Sequence, residues 1–171
     1  MNQRRFAFRP RFGLRTALAL TVLVALLGRW IGGDYARYRA EQGVLERLIA
    51  SKSLDSFERA RSGYPWWPPV SQLWLTRRVD GETLQEVSRL THLTDLALLE
   101  ASVTDDGWNQ ITQLPRLEVL IVQDTQLTDE QIVSLGAAQR LRLLTLQGTE
   151  VTDEGTARLR ERLPQLEILD D

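Results

Sequence analysis

The chain has 171 residues, 26% of them charged and none of them cysteine. That length allows one modest domain with an appendage, and the lack of cysteine rules out a disulfide framework or a thiolate-based site. The formal charge of -2 conceals two differently built regions: residues 1–33 hold six arginines and no acid, so the rest, with 15 basic and 23 acidic residues, carries about -8. Such an acidic remainder argues against a nucleic-acid partner, which requires a basic face.

In chain order, residues 1–13 read as a basic tail, with Arg4, Arg5, Arg9 and Arg11. From Thr16 to Gly28 the side chains are uninterruptedly apolar or small, and residues 14–33, with Arg29 snorkelling, make up about 20 residues. This predicts a transmembrane anchor, with Trp30 and Tyr35 at the far interface. The arginines before the run place the N-terminus in the cytoplasm and the remainder on the extracytoplasmic side of a single-pass membrane protein. A cleaved secretory signal, an Arg-rich mitochondrial presequence and a buried helix are the alternatives.

Residues 34–69 read as a juxtamembrane helix and N-terminal cap. Tyr35, Tyr38, Leu45, Leu48 and Ile49 recur at helical spacing, and Pro65-Trp66-Trp67-Pro68-Pro69 then forbids regular helix while offering large apolar area.

Residues 70–171 carry repeats. Three copies begin at Leu93, Leu117 and Leu141, about 24 residues apart, each with the pattern L-x-x-L-x-L or its aliphatic equivalent. Within each copy, Leu96 with Leu98, Leu120 with Val122 and Leu144 with Leu146 alternate as one apolar face of a strand. Each copy then supplies Thr104, Thr128 or Thr152 as a helix N-cap, with acids behind it where the helix dipole favours them. An earlier turn starts at Val70, displaced by 23 residues and without Thr-Asp, and a later strand starts at Leu166, displaced by 25. The expected fold is therefore α/β: a leucine-rich repeat solenoid, with short parallel strands on the concave side and short helices on the convex side, preceded by the transmembrane helix.

Chemistry is sparse in this pattern. His92 is the one histidine and stands at a polar position ahead of Leu93, and the chain has no G-x-x-x-x-G-K loop or G-x-S-x-G elbow. Asp105-Asp106, Asp129-Glu130 and Asp153-Glu154 lack the spaced loop of a calcium site and are explained by helix capping. The expectation is a non-enzyme with no cofactor and no metal. What remains is the strand face away from the core, where Trp74, Leu99, Val119, Ile121, Leu143 and Ile168 are apolar. These six are the candidate protein-binding residues.

The repeat exemplified by residues 141–155, ending Val151-Thr-Asp-Glu-Gly155, resembles leucine-rich repeats of the F-box-associated, cysteine-containing type, although its cysteine is missing here. Together with Arg11-Phe-Gly-Leu-Arg-Thr-Ala-Leu18 it is similar to bacterial membrane-anchored leucine-rich repeat proteins of planctomycetes. That resemblance implies the fold and a general binding role. It also brings ubiquitin-ligase-like substrate adaptors into view, but residues 1–69 do not read as an F-box. The expected function is presentation of a surface for a protein or peptide ligand outside the cytoplasm. A self-associating, homo-oligomeric envelope protein is the alternative, and an adaptor a further one.

Overall fold

The computed structural model describes residues 14–60 and 68–170. Its elements are α1 (Leu14–Ala50), β1 (Leu54–Arg59), β2 (Val70–Val79), α2 (Gly81–Val87), β3 (Asp95–Val103), α3 (Asp105–Thr112), β4 (Val119–Gln123), α4 (Asp129–Ser134), β5 (Leu143–Gln147), α5 (Asp153–Arg162) and β6 (Glu167–Asp170). A 3-10 turn, Leu135–Ala137, follows α4. The chain divides into two compact units, Met1–Ala36 and Arg37–Asp171.

In the first unit, α1 carries an apolar stretch whose Val22, Leu23, Val24, Leu26, Leu27, Trp30 and Ile31 are exposed. Among the described residues, no helix is long and apolar enough to cross a membrane. This overturns the expected anchor at residues 14–33, and the single-pass, extracytoplasmic placement derived from it is withdrawn. The physical reason is length. The uninterrupted run from Thr16 to Gly28 has 13 residues, and in a helix it reaches only about 20 Å against a hydrocarbon core of about 30 Å before Arg29 intervenes.

The second unit is built on one mixed sheet with strand order β1-β2-β3-β4-β5-β6. Strands β2 to β6 are mutually parallel, and β1 is antiparallel to β2. This corrects the expected all-parallel solenoid behind a membrane helix: the fold is α/β with a six-stranded mixed sheet. The antiparallel strand comes from the segment read as helix and cap. The pair Trp66 and Trp67, assigned to that cap, lies outside the described residues, as does the basic tail.

Register ties each parallel strand to the next at nearly constant offset. Gln72 pairs with Asp95, Asp95 with Val119, Val119 with Leu143, and Leu143 with Glu167. The core follows from the twofold alternation of the strands. Leu73, Leu75, Leu96, Leu98, Leu120, Val122, Leu144 and Leu146 point inward and are buried. Opposite them lie two helix columns, Leu84, Trp108, Ile132 and Thr156, then Val87, Ile111, Leu135 and Leu159, all buried. Each fully buried Leu or Ile contributes about 1.5–3 kcal/mol of transfer free energy.

Helix starts recur with the same period. Asp80 Oδ1 accepts from the Thr83 N–H at 2.9 Å, Thr104 Oγ1 from the Gly107 N–H at 3.2 Å, and Thr152 Oγ1 from the Gly155 N–H at 3.3 Å. Thr128 forms a capping box in which its own N–H donates to Gln131 Oε1 at 3.1 Å. Asp80 thus performs in the first turn the task that threonine performs in the later ones. Positive φ recurs at Arg77 and Glu100, within β2 and β3 where their pairing is irregular, and at Asp124 and Gly148, directly after β4 and β5. A non-glycine residue in that region is strained, so three of the four positions hold a conformation that only Gly148 adopts freely.

The β1 end is closed by a buried charge cluster. Glu41, 3% exposed, accepts on Oε2 from Arg59 Nη1 and from the Val70 N–H, each at 3.2 Å, while Arg37 Nε lies 3.9 Å from Oε1. Arg59 Nη1 also donates to the Pro68 carbonyl at 2.6 Å, and its guanidinium sits 5.1 Å from the centre of the Tyr38 ring. Burial holds the Glu41 carboxyl above its ordinary range, outweighing the Val70 N–H and the two arginines, which act the other way. Val44, Leu45 and Leu48 of α1 join the apolar core beside this cluster.

Candidate binding face

The helices cover one side of the sheet, and the alternate side chains of the strands form its other side. Across β1 to β6, one row on that outer side reads Ser56, Trp74, Ala97, Ile121, Thr145, Leu169. A second reads Glu58, Gln72, Asp95, Val119, Leu143, Glu167, and a third, shorter one Thr76, Leu99, Gln123, Gln147. Five of the six candidate residues, Trp74, Leu99, Val119, Ile121 and Leu143, therefore share this face, each half-buried among its neighbours.

Ile168 does not join them. It pairs with Leu144 and points into the core, 8% exposed, whereas Leu169 pairs with Thr145 and stands 45% exposed on the outer side. The last strand departs from the L-x-x-L spacing: Leu166 and Ile168 are both buried, two positions apart, where the earlier copies place the corresponding leucines three positions apart. A slip of one residue exchanges the two faces of a strand.

Ala97 also belongs to the face and was absent from the candidate set. It is 3% exposed because its register neighbours, Trp74 and Ile121, are far larger. The signal was present in the pairing of its column, but a small residue carries little weight in a search for apolar bulk. The resulting patch is apolar in the middle, bordered by Glu58, Asp95 and Glu167 at one margin and by Thr76, Gln123 and Gln147 at the other.

The acidic steps on the helix side have structural partners. Asp129 accepts the Thr152 N–H at 2.8 Å and the Thr152 hydroxyl at 2.7 Å, and these two bonds, the N–H foremost, lower its pKa. Asp105 accepts from Gln131 Nε2 at 2.6 Å. Each acid thereby ties its own helix start to the next. Among the described residues no group of three or more His, Asp or Glu side chains is arranged to hold a metal ion. His92 is half-buried, with Nδ1 3.2 Å from the Thr91 hydroxyl.

No protein-family model matches this chain, and no curated protein matches it.

Proposed function

We propose that the chain is a non-catalytic binding module whose outer sheet face receives a protein or peptide. The observation that carries this reading is the continuity of Trp74, Ala97 and Ile121 in one row with Leu99, Val119 and Leu143 alongside, apolar side chains that, apart from the buried Ala97, are half-buried, with no covering element among the described residues of the second unit. Apolar side chains contiguous across several strands and rimmed by polar residues are the usual make-up of an interaction site. Trp74 is the natural anchor, since tryptophan combines large apolar area with few rotatable bonds.

A photo-crosslinking amino acid at position 121, compared with one at Arg160 on α5, tests the reading. A discrete product that forms only from position 121, and that is lost when Trp74 is changed to Arg, is the expected result. Products of equal yield from both positions would sink it. Crosslinks only to further copies of the chain would replace an external ligand with self-association. The paired substitutions Ile121→Arg and Leu120→Arg check the face itself. The first leaves stability within about 1 kcal/mol, and the second unfolds the unit by burying an unpaired charge; equal loss in both would disprove the assignment of faces.

A further inference from the structure

Arg140, Arg142 and Arg162 line a cleft of about 330 Å³ between the turn that enters β5 and the turn that joins α5 to β6. Glu118 is the one acid in its lining. Three arginines against one glutamate leave this lining at +2, in a chain whose formal charge is -2. Elsewhere Arg37, Arg47, Arg59, Arg89 and Arg158 each pair with a glutamate. Among the described residues none of the three cleft arginines is in an ion pair, although Glu118 lines the same cleft.

The backbone holds two of them in place. The Arg142 N–H donates to the Glu118 carbonyl at 2.8 Å, and the Arg142 carbonyl accepts from the Glu167 N–H at 2.8 Å, so this residue is fixed from both flanking strands. Arg162 Nη1 donates to the Val133 carbonyl at 3.3 Å, and its aliphatic stem lies against Gly136, where an added Cβ would come within 2.6 Å of Arg162 Cδ. Glycine at 136 is what lets the stem lie there. Arg162 is thus held along its stem and at Nη1, which leaves most of the five N–H donors of its guanidinium for another partner.

We propose that this cleft binds a phosphate monoester or inorganic phosphate. Guanidinium groups match the oxygens of a phosphate in pairs, and a lining at +2 offsets a group that carries about -1.5 to -2 at neutral pH. The cavity is at the small end of ligand sites, which suits one oxyanion group rather than a large cofactor. The assignment is independent of the outer sheet face and stands if that reading fails.

Backbone amide shift mapping of the full chain with inorganic phosphate, at ionic strength held constant with chloride, tests it. The expected result is saturable shifts confined to residues 139–142 and 162–166. Arg142→Gln and Arg162→Gln each weaken binding about tenfold or more, Glu118→Gln tightens it, and Arg160→Gln, on the same helix but outside the cleft, leaves it unchanged. A short phosphoserine peptide and its unphosphorylated twin distinguish the sources. A phosphopeptide that binds more tightly than free phosphate assigns the cleft to a modified protein; free phosphate binding as tightly assigns it to small phosphates. The proposal is overturned if neither probe saturates, or if Arg160→Gln weakens binding as much as Arg142→Gln.

Discussion

The two ends of the sheet are finished in opposite ways. At the β1 end, an antiparallel strand, a helix segment and a buried Glu41–Arg59 pair with hydrogen bonds to Val70 and Pro68 close the core. At the β6 end, four residues, Glu167–Asp170, form the last strand, and only Ile168 of them is buried. The first end relies on charges taken out of water and matched one to another; the second relies on brevity and on polar or charged neighbours such as Glu167 and Asp170. An end that buries charge tolerates little change, and an end that buries almost nothing tolerates much.

The largest effect that separates the two ends is expected from Glu41→Ala. It leaves the mostly buried Arg59 guanidinium without its carboxylate and the Val70 N–H without an acceptor, a loss of about 3–5 kcal/mol measurable by urea unfolding. A loss below about 1 kcal/mol would show that the cluster is solvated and the comparison mistaken. At the other end, Ile168→Arg costs about 2 kcal/mol and Leu169→Arg stays within about 0.5 kcal/mol. The reverse order would restore the one-residue shift that a strict L-x-x-L spacing implies.

The smallest effect is a pH dependence. Because the folded pKa of Glu41 lies above its ordinary value of 4.5, the folded state holds that proton when the unfolded chain has begun to release it. The contribution of Glu41 is therefore complete below pH 4.5 and declines as pH rises through the raised folded value. Stability measured across that window is expected to fall with pH in the native chain and to lose this component in Glu41→Gln. An unchanged slope in the variant would assign the dependence to other groups.

These contrasts also mark what could be read from residues alone. The period of about 24, the inward leucines and the caps Thr104, Thr128 and Thr152 were legible because each is a local pattern repeated. Asp80 escaped notice because its turn begins Val79-Asp-Gly-Glu82 in place of a threonine, although aspartate caps equally well. Strand β1 was illegible for another reason: in Leu54-Asp-Ser-Phe-Glu-Arg59 the two apolar residues stand three apart, a spacing that suits a helix face and not the alternation of a strand. Burial of Glu41 depends on residues 59 and 70, distant in sequence, so no local window reveals it. Five residues of the outer face followed from register, and the sixth failed where one copy drops a residue between its buried positions.

The strand order has a further consequence. Every strand pairs only with its neighbours along the chain, and the sheet closes no long loop from one end to the other. Assembly therefore proceeds through contacts between segments a few tens of residues apart, a topology that favours rapid folding. Opening, by the same token, works inward from the less protected margin. Amide exchange is expected to be slowest in β3 and β4 and fastest in β6, so the molecule wears from its plain end while its charged end holds.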